Sequence, residues 1–218
     1  MSAILTLRAS AVLFDMDGVL VDSRAVVERV WRQWAAANGH DADAIIRVAH
    51  GRRVRDTLAM LAPELDPVAE VARLDAAEST DFDGVVAVPG APALVNSIPR
   101  DRWAIVTSAG AQLALRRLRA AHVPVPDRIV SADLLVRGKP DPEGYLKGAE
   151  ALGVSPGECL VFEDAPPGVE AALRAGMRVV GVATTYEPGD LVGPIRVVDD
   201  LTTVSVHVDA DGLQVSIG

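Results

Sequence analysis

Phe14-Asp15-Met16-Asp17-Gly18-Val19-Leu20 follows the apolar run Ala11-Val12-Leu13, and the two stretches together decide the fold. The apolar residues predict a short buried strand that ends in two aspartates. Gly18 allows a turn there, because a residue without a Cβ tolerates positive φ. The carboxyl end of a strand is where open α/β sheets bind ligands, and two adjacent carboxylates need a cation. The stretch therefore predicts a Mg²⁺ site; the alternative is a polar turn in which an aspartate acts as a cap.

Length and composition limit what the rest of the chain can be. The 218 residues are 50% hydrophobic, which is enough for a sizeable core in one domain or two small ones. The formal net charge of −9 argues against binding to nucleic acid or to an anionic membrane surface. A phosphorylated small molecule would then have to be attracted locally, by a metal ion and a few basic side chains.

The single cysteine and the N-terminal residues indicate a protein of the cytoplasm. Cys159 excludes an intramolecular disulfide and a Cys-rich zinc site, and its apolar surroundings favour a buried thiol over a nucleophile. Residues 1–8 lack a long apolar segment and a cleavage site for secretion. No window approaches the roughly 20 apolar residues of a membrane span. We therefore expect a cytoplasmic protein that does not contact membranes.

Strand and helix patterns alternate through most of the chain and predict a doubly wound parallel sheet with right-handed crossovers. Further strand patterns occur at residues 103–106, 128–131, 159–162, 178–182 and 195–198. Helical patterns at about 91–97, 111–121, 142–152 and 168–175 separate them. Two strand patterns at 204–208 and 213–217 flank Asp209-Ala210-Asp211-Gly212 and predict a C-terminal β-hairpin.

The stretch between the first strand and Val85 shows only helical patterns. They cover about 22–37, 43–49, 54–61 and 67–79, and Asp22 or Ser23 is expected to cap the first. A helical block inserted after the first core strand predicts an α-helical cap domain at 21–83 on a core of 1–20 and 84–218. Trp31 and Trp34 are expected in its core, although an aromatic platform for a ligand is the alternative.

Polar residues recur after strands or in loops that should share one edge of the sheet. They are Asp15 and Asp17, Thr107 and Ser108, Lys139, and Glu163 and Asp164. Carboxylates, hydroxyls and one ammonium group are suited to a phosphoryl group bound beside Mg²⁺. Taken singly, the hydroxyl pair could be a helix N-cap, the lysine a solvated side chain, and the acidic pair a favourable charge at a helix start. Their joint occurrence favours the site.

These motifs resemble the four sequence motifs of the haloacid-dehalogenase-like (HAD) hydrolases, in the order of that family. The residues that carry the resemblance are Asp15-Met16-Asp17-Gly18-Val19-Leu20-Val21-Asp22-Ser23, Thr107, Gly138-Lys139-Pro140-Asp141-Pro142, and Phe162-Glu163-Asp164-Ala165-Pro166-Pro167-Gly168. The resemblance covers essentially the whole chain and implies a Rossmann-like core with a helical cap. Within the family, the chain is most similar to the branch of sugar- and polyol-phosphate phosphatases, a group that includes bacterial hexitol phosphatases, glycerol-1-phosphatases and 2-deoxyglucose-6-phosphatases. The residues that carry this finer resemblance are Ala49-His50-Gly51-Arg52, residues 103–108, residues 138–146 and Glu163-Asp164-Ala165-Pro166.

The resemblance also implies a role for each motif residue. Asp15 would be the nucleophile that forms an aspartyl-phosphate, and Asp17 would be the general acid and base. Mg²⁺ would be held by the side chains of Asp15 and Asp164 and the backbone carbonyl of Asp17, with Glu163 as an outer or occasional ligand. Thr107 and Lys139 would bind the phosphoryl group, with further contacts from Ser108. Val19 stands where many members carry threonine, which leaves open how Asp17 is oriented.

The helical cap would recognise the rest of the substrate. His50, Arg52, Arg53 and Arg55 are its densest cationic group, and Arg52 with His50 is expected to face the site; a solvated helix face is the alternative. The predicted function is a Mg²⁺-dependent phosphatase of small sugar or polyol phosphates, acting as a monomer without nucleic acid. A phosphomutase of the β-phosphoglucomutase type and a non-catalytic regulator that binds phosphorylated sugars remain alternatives, whereas Asp17 and Lys139 disfavour a dehalogenase.

Overall fold

A computed structural model describes residues 4–218, and its centre is the parallel sheet that the sequence predicts. Six strands lie in the order β6-β5-β2-β7-β8-β9, and each pairs with its neighbours in parallel. The strands are β1 (Leu5–Ala9), β2 (Ala11–Phe14), β3 (Val21–Asp22), β4 (Val86–Ala87), β5 (Trp103–Val106), β6 (Ile129–Val130), β7 (Cys159–Glu163), β8 (Arg178–Val182), β9 (Arg196–Val198), β10 (Val204–Asp209) and β11 (Gly212–Ile217). The predicted doubly wound α/β class is confirmed.

Strand β2 lies inside the sheet because all four of its side chains are apolar and fully buried. Val12 and Phe14 point into one apolar cluster, and Ala11 and Leu13 point into another on the opposite face. This alternation is what a strand with helices on both faces requires. Phe14 stacks on Phe162 of β7 with ring centroids 5.2 Å apart, so the motif that follows β2 begins from a rigid position.

Eight α-helices connect the strands within residues 4–218. They are α1 (Arg24–Asn38), α2 (Ala42–Ala49), α3 (Val54–Leu61), α4 (Pro67–Glu78), α5 (Ala91–Asn96), α6 (Ala111–Ala120), α7 (Glu143–Leu152) and α8 (Pro166–Arg174). Helices α5 to α8 alternate with the strands of the sheet. Helices α1 to α4 all fall between β3 and β4, and we call residues 24–78 the four-helix segment.

Local signals set the ends of the helices in the four-helix segment. Gly39 ends α1 in the left-handed conformation, and the side chains of Asp41 and Asp66 accept hydrogen bonds from the first turns of α2 and α4. Ser23 precedes α1 as predicted, but its side chain makes no capping hydrogen bond. Trp31 and Trp34 are buried, as predicted. The division into a core of 1–20 and 84–218 and a cap of 21–83 remains a proposal, and residues 1–3 lie outside the described part.

The predicted C-terminal hairpin is confirmed, and it belongs to a sheet that the sequence does not predict. Strands β10 and β11 pair antiparallel, and β1 pairs with the other edge of β11. Cys159 is buried in β7, in agreement with the expectation of a structural thiol. Among residues 4–218, no helix combines the length and the apolar character needed to span a bilayer.

Candidate active site

Three strands of the parallel sheet bring predicted site residues to their carboxyl ends. Asp15 follows β2, Thr107 follows β5, and Asp164 follows β7. The backbone continues the sheet beyond the strands: Asp15 N donates to Phe162 O at 3.0 Å, and Thr107 N donates to Val130 O at 2.9 Å. The first positions after the strands are therefore as well fixed as the strands themselves, which suits residues that must hold a precise geometry.

The turn after Asp15 requires glycine at position 18. Gly18 has φ +83°, and its N–H donates to Val21 O at 2.7 Å, which closes the turn. A Cβ on this residue would lie 1.9 Å from Asp164 Oδ2. Both the backbone conformation and the space exclude a side chain here, so the loop that carries the aspartates can pass close over the end of β7.

A buried cluster of charges surrounds Asp15. Lys139, in the loop before α7, donates through Nζ to Asp15 Oδ1 and, at 2.6 Å, to Glu163 Oε1. Tyr145 Oη also donates to Glu163 Oε1, at 2.9 Å. Glu163 Oε2 accepts from the backbone N–H groups of Asp164 and Ala165 at 2.9 and 3.0 Å. Because Glu163 accepts four hydrogen bonds, its carboxylate fixes the ammonium group beside Asp15.

The charges of this cluster do not balance within the described residues. Asp15, Glu163 and Asp164 each present an oxygen, and these oxygens lie within 4.8 Å of one another. Burial raises the pKa of Asp15 and of Asp164; Glu163 adds to both rises, and Lys139 opposes them. Asp164 Oδ1 is buried without a hydrogen-bond partner. Three carboxylates beside one ammonium group and an orphaned oxygen fit a divalent cation, so the cluster could hold a metal ion.

Asp17 lies in a different environment although it is only two positions from Asp15. Its side chain is partly exposed, whereas that of Asp15 is buried. Ser23 Oγ donates to Asp17 Oδ1 at 2.6 Å, and Arg117 Nη1 donates to the same oxygen at 3.0 Å. The serine that precedes α1 therefore uses its hydroxyl to hold Asp17 instead of capping the helix.

The two hydroxyl residues after β5 are not N-caps of the next helix. Thr107 Oγ1 accepts from Ala109 N at 3.1 Å, while Asp133 Oδ2 accepts from the first N–H of α6, that of Ala111, at 2.6 Å. Ser108 Oγ donates to Gly51 O at 3.0 Å and so joins the β5 loop to the four-helix segment. Thr107 is buried, and its hydroxyl proton and second lone pair can form hydrogen bonds with a ligand in the site.

A cleft of about 330 Å³ opens between the strand ends and the four-helix segment. Six of the nine predicted site residues line it, namely Asp15, Asp17, His50, Arg52, Thr107 and Ser108. The other three, Lys139, Glu163 and Asp164, adjoin Asp15 in the buried cluster. The cleft also contains Arg117 and Glu78, which the sequence reasoning missed.

The three arginines of the predicted cationic group have different surroundings. Arg53 is buried and donates to Asp56, to Leu135 O at 3.1 Å and to Val136 O at 3.3 Å, so it ties α3 to the core. Arg55 is exposed on the same helix. The guanidinium of Arg52 makes no hydrogen bond or ion pair with residues 4–218, and this side chain lines the cleft.

Arg117 could have been found from the periodicity of its helix. It follows Leu113 by four positions and Ala114 by three, and both of those residues are buried. An arginine on the apolar face of a helix needs a buried partner. This signal is easily overlooked, because Arg116, Arg117 and Arg119 together resemble the solvated face of a helix.

Comparison with known proteins finds similarity to hydrolases, including named phosphatases. The family model described as "Hydrolase: haloacid dehalogenase-like hydrolase" matches residues 9–176. The chain is 41% identical over 211 residues to Hexitol phosphatase A of Escherichia coli (strain K12), covering 94% of this chain and 98% of that protein. It is 33% identical over 195 residues to Glycerol-1-phosphate phosphohydrolase 2 of Saccharomyces cerevisiae, covering 84% and 78%. A solved hydrolase from Pseudomonas syringae is 28% identical with a TM-score of 0.78, covering 88% and 94%.

Proposed function

The chain belongs to the haloacid dehalogenase-like hydrolases, and we propose that it is a Mg²⁺-dependent phosphatase of small sugar or polyol phosphates that works through an aspartyl-phosphate on Asp15. The observation that carries the proposal is the placement of Asp15 and Asp17 in one cleft, with Lys139 beside the first and Thr107 lining the same cleft. The names of these two relatives support the substrate class, since one is called a hexitol phosphatase and the other a glycerol-1-phosphate phosphohydrolase, and both hexitols and glycerol are polyols.

The residues present fit a magnesium ion. Its ligands would be the side chains of Asp15 and Asp164 and the backbone carbonyl of Asp17. The orphaned Asp164 Oδ1 supports this assignment, because a buried carboxylate oxygen without a partner is costly. Glu163 would act from outside, since its oxygens already accept four hydrogen bonds. When bound, the ion would supply positive charge beside the phosphoryl oxygens.

In the first step, a carboxylate oxygen of Asp15 attacks the phosphorus, and the bond from phosphorus to the substrate oxygen breaks. Asp17 gives its proton to the departing alkoxide, which leaves as the alcohol. In the second step, Asp17 takes a proton from water, which attacks the phosphorus and breaks the bond to Asp15. Inorganic phosphate leaves, and both aspartates return to their starting states.

The remaining residues bind the substrate without exchanging protons. Lys139 neutralises charge on the nucleophile and on the phosphoryl group, and Thr107 donates to a phosphoryl oxygen. Ser108 would contribute its backbone N–H, because its hydroxyl proton is held by Gly51. His50 and Arg52 lie on the opposite wall, where they would meet the hydroxyl groups of the sugar or polyol. One chain carries all of these residues, which is consistent with a monomer.

The test is phosphate release from a panel of hexose, hexitol, pentitol and glycerol phosphates, measured with Mg²⁺ and without any bisphosphate. We expect turnover of several members, loss of turnover with a chelator, and no turnover by Asp15→Asn, because an amide is not a nucleophile. A trapped phosphate on Asp15 should add its mass to the intact wild-type protein. Activity that needs a sugar bisphosphate would indicate a phosphomutase, and binding without turnover would indicate a regulator.

The substitution Arg52→Ala tests the assignment of substrate recognition. We expect kcat/KM to fall by about 10-fold or more on hexitol phosphates, because one hydrogen bond to a charged group contributes about 1.5–3 kcal/mol. Exposed Arg47→Ala on α2, outside the residues that line the cleft, is the matched control. Equal values for Arg52→Ala and wild type on all substrates would remove Arg52 from the site.

A further inference from the structure

Arg117 connects the candidate site to the four-helix segment. It lies on α6, and its side chain is only 4% exposed. Nη1 donates to Asp17 Oδ1 at 3.0 Å, and Nη2 donates to Glu78 Oε2 at 2.8 Å. Glu78 is the last residue of α4 and is also buried. One guanidinium group thus bridges a loop of the core and the end of the four-helix segment.

We propose that Arg117, held in place by Glu78, is the positioning residue for the proton transfer carried out by Asp17, and that the packing of α4 against α6 therefore controls this step. The inference rests on the proposed function, because it takes Asp17 as the general acid and base. It adds two residues that neither the sequence motifs nor the names of the relatives assign.

The hydrogen bonds to Asp17 determine which oxygen can carry the proton. Within residues 4–218, Ser23 and Arg117 both donate to Oδ1. An oxygen that accepts two hydrogen bonds remains the carbonyl-type oxygen when the carboxyl group is protonated. The proton then resides on Oδ2, which is left for the substrate. The same two donors hold the carboxylate after the proton has gone, so one orientation serves both steps.

The arrangement also explains how Asp17 is oriented without a threonine at position 19. Val19 is fully buried and offers no hydroxyl group. The two donors come instead from Ser23, six positions along the chain, and from Arg117, on a different helix. The first is fixed by local sequence, whereas the second depends on tertiary packing.

Arg117 is buried, so its ion pairs with Asp17 and Glu78 are not surface contacts. Removing a guanidinium group from water is costly unless its donors find acceptors. Glu78 alone would balance the charge, yet a second carboxylate, Asp17, takes Nη1. The Nε donor is buried and has no partner within the described residues. The side chain is therefore held by its two terminal nitrogens, a geometry that a lysine, with one nitrogen, cannot reproduce.

The leaving group of the substrate offers a selective test. The alkoxide of a polyol is a strong base that needs a proton to leave, whereas p-nitrophenolate is a weak base that leaves without one. The ratio kcat/KM covers binding, attack by Asp15 and departure of the leaving group. A defect in the positioning of Asp17 must therefore lower kcat/KM for the polyol ester far more than for the aryl ester.

The experiment compares Arg117→Met with wild type on sorbitol 6-phosphate and p-nitrophenyl phosphate at saturating Mg²⁺. We expect kcat/KM to fall about 10²–10⁴-fold on the polyol ester, the range for loss of acid–base catalysis, and less than about 10-fold on the aryl ester. KM for the polyol ester should change little, so that the loss appears in kcat. If wild type does not accept aryl esters, acetyl phosphate replaces them, since its acetate leaving group also needs no proton.

Three further variants complete the design. Glu78→Gln keeps the size of the side chain and should give a smaller loss with the same selectivity, because Arg117 then loses its charged anchor. Arg117→Lys should remain defective, since one nitrogen cannot reach both partners. Arg116→Met is the matched control, because Arg116 is on the same helix and donates only to the backbone oxygen of Ser79. It should behave as wild type on both esters.

The outcomes separate this inference from the proposed function. Equal losses on both esters, together with a lower Tm, would mean that Arg117 only holds α4 against α6, and would overturn the inference while leaving the phosphatase intact. Unchanged activity on both esters would also overturn it. If Arg117→Met does not fold, the selectivity of Glu78→Gln decides. If wild type releases no phosphate from any ester, the proposed function fails and the inference fails with it.

Discussion

The two aspartates of the first motif are held by different regions of the molecule. Asp15 is buried and held by Lys139, which Glu163 fixes from the end of β7. All three residues come from the parallel sheet and its loops. Asp17 is partly exposed, and its contact with Arg117 exists only where α6 meets the four-helix segment. We call these two regions the sheet side and the helix side of the site.

The two sides differ in which parts of the chain hold them in place. The hydrogen bonds of the sheet side join Asp15, Lys139 and Glu163 to one another and to neighbouring groups of the sheet and α7, so none of them depends on a helix of residues 24–78. The four-helix segment joins the rest of the chain through separate hydrogen bonds, among them Ser108 to Gly51, Arg53 to the carbonyls of Leu135 and Val136, Arg117 to Glu78, Arg24 to Thr184 O and Tyr186 to Arg47 O. Substitutions on the two sides should therefore fail in different ways.

The largest effect is expected on the sheet side, from Lys139→Met. This change keeps the length of the side chain but leaves Asp15 and Glu163 buried without their cation. We expect the free energy of unfolding in the presence of a chelator to fall by about 3–5 kcal/mol, the cost of breaking a buried ion pair. Phosphatase kcat/KM should fall at least 10²-fold, because the charge beside the phosphoryl group is lost. Urea unfolding and phosphate release measure the two effects.

A matched control and the response to magnesium sharpen this prediction. Lys147→Met removes a lysine that is partly exposed on α7, and its unfolding free energy should stay within about 1 kcal/mol of wild type. Saturating Mg²⁺ should stabilise Lys139→Met more than wild type, since the cation then meets a larger excess of carboxylate charge. If Lys139→Met were as stable as wild type in the presence of a chelator, Lys139 would not be the group that balances the charge of the cluster.

An intermediate effect is expected on the helix side, from Arg53→Met. This change removes the hydrogen bonds to Asp56 and to the carbonyls of Leu135 and Val136. We expect a loss of about 1–3 kcal/mol in unfolding free energy, the range for buried polar groups left without partners. The increase in Tm on adding Mg²⁺ should equal that of wild type, because the sheet side is untouched.

Exposed Arg55→Met on the same helix serves as the control for Arg53→Met, and its stability should lie within about 0.5 kcal/mol of wild type. If Arg53→Met instead lowered the response to Mg²⁺, the two sides would be coupled through residues 135–136, and the distinction between them would fail.

The sequence predicts the sheet side well because its signals are local. Strands β2, β5 and β7 each contain a run of four apolar residues, and the polar residue that ends the run is the next one in the chain. Parallel pairing then brings Asp15, Thr107 and Asp164 to one edge without further information. Gly39 and Gly153 likewise mark the ends of α1 and α7 at the predicted positions.

What the sequence does not predict depends on contacts between distant parts of the chain. The sequence does not predict strand β1, because its partner, β11, lies near the opposite end of the chain. Arg52 and Arg53 are adjacent, identical in type and both line the cleft, yet Arg52 is half-buried whereas Arg53 is buried and donates to backbone carbonyls. The periodicity of α6 places Arg117 on its apolar face, but its partners Asp17 and Glu78 come from distant parts of the chain. In each case tertiary packing, not local pattern, decides the role.

The smallest effect on stability is expected from His50→Gln, which changes how the stability of the protein depends on pH. Burial lowers the pKa of His50, so the unfolded chain binds more protons than the folded one as the pH falls below the ordinary value of 6.5. Stability should therefore be complete above that value and decline below it, by at most about 1.4 kcal/mol per pH unit for one proton. Urea unfolding at pH 7.5 and 5.5 should show a smaller decline for His50→Gln than for wild type, whereas exposed His207→Gln should decline as wild type does. Equal declines for all three proteins would mean that His50 does not make the stability of the helix side depend on pH. The helix side would then depend on the contacts of Arg117 and Glu78 alone.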